Sequence, residues 1–211
     1  MISISIKTDI DKTVRELERI RRGIGERATV MALNKTAAKA KTEMVRAITS
    51  EYVIRASDVR PRMRVQRARR GRLTAVLDPF ASVSRRGRSL NVVHFLERKV
   101  SLAEARRRRK AGTLSQLRFR IKKTGGPRTI KGAFIGNKGR TIFERVPGSV
   151  MSSREKYSGT KHAEGIRPVQ TLGVPQMFGV RRISDRVVRR IRKEFPIEFD
   201  RAVRQVLRSR R

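Results

Sequence analysis

The sequence predicts an α+β fold: a twisted, mostly antiparallel sheet packed by long N-terminal and C-terminal helices. Three observations carry this. Apolar residues alternate at Ile2, Ile4 and Ile6 and again at Leu117, Phe119 and Ile121, the period of a strand with one buried face. Val30, Leu33, Ala37, Ala40, Met44 and Ala47 recur at three and four, the period of a helix. Ile183, Val187, Ile191 and Phe195 do the same near the C-terminus, continued by Phe199, Ala202, Val203 and Val206.

The remaining elements follow in order. Asp9 or Asp11 caps a first helix carrying Val14, Leu17 and Ile20, which Gly23 and Gly25 interrupt. The stretch 53–72 holds eight arginines and one acid, Asp58, and Ser57 caps a short turn there that Pro61 stops. Leu73–Leu77 reads as a strand ended by Asp78-Pro79, and Val92–Lys110 as a helix. Gly125-Gly126-Pro127 turns the chain toward a hairpin. There, Gly136-Asn137-Lys138-Gly139 sits between Ala133-Phe134-Ile135 and Arg140-Thr141-Ile142-Phe143. A phosphate-binding loop would lead into a helix; β-branched and aromatic residues follow instead, so this is a turn whose Gly136, Asn137 and Gly139 tolerate φ > 0. Pro196 kinks the last helix or begins another. The whole reads as a single domain over 1–211, with basic loops at about 55–72 and 82–90 and a flexible loop at about 147–165.

Charge is the main functional signal. Lys and Arg number 54 against 18 Asp and Glu, a net +36, so a compact form repels itself unless it works beside polyanions or acidic surfaces. Hydrophobic residues make up 37%, enough for a modest core. The absence of cysteine excludes disulfides, thiolate metal sites and cysteine nucleophiles. No apolar run approaches the roughly 18 residues of a membrane span, and MISISIKTDID is not a signal peptide. His94 and His162 stand far apart without a carboxylate cluster, no nucleophile elbow appears, and Glu194 with Glu198 has the spacing of intrahelical ion pairs. Neither an enzyme nor a cofactor site is expected.

The candidate contacts to DNA or to an acidic partner are four cationic clusters. They are Arg69 and Arg70; Arg85, Arg86 and Arg88; Arg106, Arg107, Arg108, Arg109 and Lys110; and Arg186, Arg189, Arg190 and Lys193 on the last helix. No recognition-helix motif, zinc finger or aromatic platform accompanies them, so sequence-independent contact is expected.

Taken in this order, "IKGAFI" (Ile130–Ile135), "ERV" (Glu144–Val146), a short apolar segment with Pro175, and "IRKEFPIEFDRAVRQVLR" with its Pro196 resemble the phage minor tail protein Z family, the tail completion proteins of lambda-like tails. "MALNKTAAKA" (Met31–Ala40) and the arginines after it match more weakly, and the loop Ser149–Glu164 is longer than the family pattern. The resemblance implies a non-enzymatic virion protein at the tail/neck junction, present in the host cytoplasm during assembly. It would help join tail to head and position the DNA end, without catalytic residues or cofactors. Implied partners are other copies of itself in a ring, such as a hexamer, the tail terminator, tail tube or neck proteins, and phage double-stranded DNA, with no membrane. The alternative is a sequence-independent nucleic-acid-binding or packaging protein. Duplex DNA carries one charge per ~1.7 Å, so a ring ~40 Å tall encloses only about 24 phosphates. Six chains of +36 carry roughly nine times that charge. Most arginines are therefore expected to face protein, and a minority DNA.

Overall fold

The computed structural model describes residues 4–5, 23–79, 89–97, 103, 104, 107, 117–130, 132–146, 148 and 165–209. The expected first helix and the loop at 149–164 lie outside them. The chain divides into two compact units. One comprises Met1–Ser50, Ala56–Arg88 and Gly173–Arg211; the other Glu51–Arg55 and Ser89–Leu172.

The first unit is organised by helix α1, Ile24–Glu51. Its sequence contains no proline and many alanines, which favours a long helix. Glu26 in the first turn complements the helix dipole. Gly23, at φ +90°, precedes it, whereas Gly25 lies within it rather than interrupting it. The expected stripe is buried, Val30 only partly, and it extends through Gly25, Ala28, Ala32, Thr36 and Ile48. Small side chains dominate this face, so neighbouring segments can approach closely.

After α1 come a short helix α2 (Ala56–Val59), a 3-10 turn Arg60–Arg62 with Pro61 at its start, and strand β2 (Arg64–Gln66). Ser57 lies inside α2 rather than capping it. Strand β1 (Ile4–Ser5) and β2 flank β3 (Val76–Asp78) in an antiparallel sheet, with Ile4 and Val65 both opposite Leu77. β3 begins three residues later than the sequence predicts and includes Asp78. Helix α3 (Val174–Phe178) buries Val174, Met177 and Phe178, and the Gln176 side chain accepts from Gly173 N at 2.8 Å.

Helix α4, Arg181–Arg208, runs through Pro196 as one element, so no second helix begins there. Pro196 removes one N–H, and Arg192, whose carbonyl loses that donor, is itself exposed and accessible to water. Ile183, Val187, Ile191, Phe195, Phe199, Ala202 and Val206 are buried as the spacing predicts.

The second unit is built from short antiparallel pairs. β4 (Leu90–Asn91) pairs with β10 (Gln170–Thr171), and β5 (Arg118–Phe119) with β6 (Arg128–Thr129). β7 (Phe134–Gly136), β8 (Thr141–Val146) and β9 (Gly165–Pro168) form a three-stranded sheet. Val92, Leu117, Phe119 and Ile142 make its core, edged by Val93, Leu96, Ile130 and Ile135. The molecule thus has several small antiparallel sheets rather than one. The described strands are two to six residues long.

The predicted hairpin forms between β7 and β8. Asn137 (φ +47°), Lys138 (+53°) and Gly139 (+85°) take positive φ, but Gly136 does not. Gly136 is needed for space: a Cβ there would stand 2.8 Å from the Phe143 ring. The predicted helix Val92–Lys110 opens instead as a 3-10 turn that ends at Phe95, and it is helical at Ala103, Glu104 and Arg107 among the described residues. Beyond it, backbone bonds from Arg120 N to Phe95 O (3.0 Å) and from Glu97 N to Arg118 O (3.2 Å) draw the chain into sheet pairing with β5.

Asn91 locks this unit. Its Oδ1 accepts from Val93 N (3.0 Å) and Ile142 N (2.9 Å), and its Nδ2 donates to Ile142 O (3.1 Å). The amide thus imitates a strand partner for Ile142. Asn91→Ala removes three hydrogen bonds beside a buried core, and its expected cost is about 1–3 kcal/mol, read as a lower urea midpoint at unchanged m-value.

In the first unit, Lys39 Nζ of α1 lies 2.6 Å from Glu194 Oε2 and 2.6 Å from Glu198 Oε1 of α4. Arg190 also pairs with Glu194 (2.9 Å) and Arg201 with Glu198 (2.8 Å). Hydrogen bonding from Lys39, against the opposing pull of burial, holds both carboxyls below the usual carboxylate range and lifts the Lys39 ammonium above the usual lysine range. The carboxylates' share of stability is complete above their unfolded value of about 4.3 and disappears as pH falls through the depressed folded values. The Lys39 share is complete below about 10.4 and disappears as pH rises through the raised value. Urea midpoints measured from pH 7 to pH 3 should fall less steeply in a Glu194→Gln/Glu198→Gln variant than in the parent protein. Identical slopes would mean that this network contributes nothing to acid sensitivity.

Candidate functional site

The segment Arg60–Arg72 is laid along α1 by three side chains of that helix. Glu26 Oε1 accepts from Gly71 N at 2.7 Å. Asn34 pairs with Ala68 in both directions, accepting from its N–H (2.8 Å) and donating to its carbonyl (3.0 Å). Lys41 Nζ donates to Met63 O at 2.8 Å. The anchors run 26, 34, 41 along the helix and 71, 68, 63 along the segment, so the segment forms a strap antiparallel to α1. At about 100° per residue, Glu26, Asn34 and Lys41 fall along one border of the buried stripe, and Lys39 and Glu43 along the other.

The strap's inward residues are Met63 and Ala68, both buried. Arg60, Arg64, Arg67, Arg69, Arg70 and Arg72 are exposed. A tight turn closes the far end. Arg69 and Arg72 exchange backbone hydrogen bonds of 3.1 and 2.9 Å, and Gly71 takes φ +75°, which the second central residue of a type II turn requires. Arg72 reaches Gln66 (3.3 Å), and Arg62 donates to the Asp58 carbonyl (2.8 Å). Among the described residues, no ion pair involves Arg60, Arg64, Arg67, Arg69 or Arg70. With Arg72, whose partner is an amide, six exposed guanidiniums therefore stand on a fixed backbone without a carboxylate partner among the described residues.

Helix α4 is different. Arg186 is bound to Glu43 of α1 at 2.6 Å and Arg190 to Glu194 at 2.9 Å. Arg204 pairs with Asp200 (2.8 Å) and Arg181 with Asp185 (3.6 Å). Of the four candidates on this helix, Arg186 and Arg190 thus work inside the fold. Replacing Arg186 would remove a link between α1 and α4, whereas Glu194 would keep Lys39 after the loss of Arg190. Arg189 and Lys193 remain exposed. Glu194 and Glu198 do form the intrahelical pairs read from their spacing, but their common partner Lys39 lies more than 150 residues away in sequence and was not foreseen.

Arg69 and Arg70 sit together at the turn of the strap, and Arg107 is exposed. Arg85, Arg86, Arg88, Arg106, Arg108, Arg109 and Lys110 lie outside the described residues, as does His162. His94 is partly buried beside the buried Phe95. Sequence reasoning marked 55–72 as basic but chose only Arg69 and Arg70 from it, and it missed the anchors. One signal was available: Asn34 stands in the middle of a helix, where asparagine is unfavourable unless its amide has other work.

Among the described residues, no group of three or more His, Asp or Glu is arranged to hold a metal ion. No helix there is long and apolar enough to cross a membrane. No curated protein and no solved structure matches the chain. The prophage minor tail protein Z family, by contrast, matches residues 7–210, nearly the whole length. That span takes in both units, with α1, the strap and α4, and the chain belongs to the prophage minor tail protein Z family of phage tail proteins.

Proposed function

We propose that this tail protein is a non-enzymatic completion component at the tail/neck junction. It acts in an oligomeric ring, helps a tail join a head, and positions the end of the DNA. The observation that carries the reading is the division of cationic surface within a protein of net charge +36. Among the described residues, the arginines of α4 are largely matched by carboxylates, while those of the strap are not. A free molecule gains nothing from an unmatched row of guanidiniums; a component enclosed among acidic proteins and DNA does. Helix α4 suits protein docking. It carries the two exposed large apolar residues of the described chain, Ile197 (40% exposed) and Leu207 (48%), among compensated charges.

The test is a phage deprived of this protein. Thin-section and negative-stain images should show filled heads and full-length tails that fail to join or join unproductively. Infectious yield should fall by orders of magnitude and return when the protein is supplied. Empty heads would instead support the packaging alternative, and normal infectivity would refute both.

A further inference from the structure

We propose that the strap Arg60–Arg72 is the protein's binding surface for the phosphate backbone of double-stranded DNA. The proposal rests on the reading above only for the source of the duplex. Three features carry it. The first is composition: the cations of the strap are all arginine, six of the seven are exposed, Arg62 being partly buried, and none has a carboxylate partner among the described residues. The second is the absence of an apolar anchor. Met63 and Ala68 turn inward, and Val65 is partly buried. Protein interfaces exclude charge from their centres and rely on apolar or aromatic anchors, whereas protein–DNA interfaces are polar and strongly positive. Acidic protein is therefore the poorer occupant.

The third feature is preorganisation. Glu26, Asn34 and Lys41 bind the strap's backbone rather than its arginines, so the guanidiniums stay available while the chain carrying them is fixed. The anchored length is about 22 Å of helix, beside which a duplex presents about 13 phosphate charges. Six arginines on one side of such a duplex meet about half of them. Contact to phosphate alone carries no sequence information, so binding should be indifferent to sequence.

The experiment measures the affinity of the full-length protein for a random-sequence 30-base-pair duplex between 50 and 300 mM salt. Each phosphate neutralised contributes about 0.9 to the slope of log affinity against log salt. Arg64→Gln/Arg67→Gln/Arg69→Gln/Arg70→Gln should lower that slope by about 3 to 4. The milder pair Arg69→Gln/Arg70→Gln should lower it by about 2. A control of equal charge change on α4, Arg189→Gln/Arg192→Gln/Lys193→Gln/Arg208→Gln, should change it by less than about 1. Asn34→Ala, which alters no charge, should weaken binding several-fold by freeing the strap; circular dichroism confirms that each variant is folded. Equal losses in the strap and α4 variants would overturn the proposal, because binding would then follow net charge. So would a strap variant that keeps its DNA slope but loses affinity for polyglutamate, which would assign the strap to an acidic protein. The deletion phenotype tests the tail-joining reading separately, so either idea can fail without the other.

Discussion

Helix α1 has to satisfy two neighbours at once, and the rest of its unit depends on that. Its buried face mixes Gly25, Ala28, Ala32, Ala37, Ala40 and Ala47, which let neighbours come close, with Ile24, Leu33, Met44, Val45 and Ile48, which fill the core. Apolar packing of this kind is not directional. The polar borders supply the register. On one side Lys39 and Glu43 take Glu194, Glu198 and Arg186 of α4. On the other, Glu26, Asn34 and Lys41 take the backbone of the strap. A one-residue rotation of α1 would move every hook by about 100° and break both sets together.

Two kinds of hook do different work. The strap is held by bonds to its main chain, which fix its path and leave its side chains free. Helix α4 is held by bonds to its side chains, which neutralise charges that would otherwise repel. In a protein with three times as many cations as anions, carboxylates are scarce. Most of those described on α4 serve that helix's own arginines, and among the described residues the strap's row of arginines is left without any. The distribution of acids, more than that of arginines, separates a surface committed to the fold from one left over for a partner.

Much of the fold was legible in the sequence wherever one period dominated. The stripes of α1 and α4 and the β7–β8 hairpin all appear where the spacing placed them. Gly136 shows the limit of such reading: its type was expected for φ, but the Phe143 ring across the hairpin is what demands it. The start of the predicted helix at Val92 failed for a related reason. Val92, Val93 and Phe95 are compatible with either period, and the decision came from Asn91, which caps the turn locally, and from pairing with Arg118–Arg120, far along the chain. Of the candidate site, the basic character of 55–72 was visible at once. Its geometry was not, because nothing local in the strap encodes where it lies.

Asn34 and Asn91 make that last point general. Each directs an amide at one distant residue, Ala68 or Ile142, and bonds both its N–H and its C=O, as a neighbouring strand would. A short segment cannot satisfy its own backbone without a sheet to join, and the strap, broken by Pro61 and Gly71 and crowded with arginines, offers only the three residues of β2 to one. A side-chain amide solves this with one residue. It fixes the segment at a single point, leaves the flanking side chains unconstrained, and requires no apolar surface. In a protein whose hydrophobic content is only 37%, that is how an arginine-rich strap can be ordered without being buried, and order without burial is what a surface for a charged partner requires.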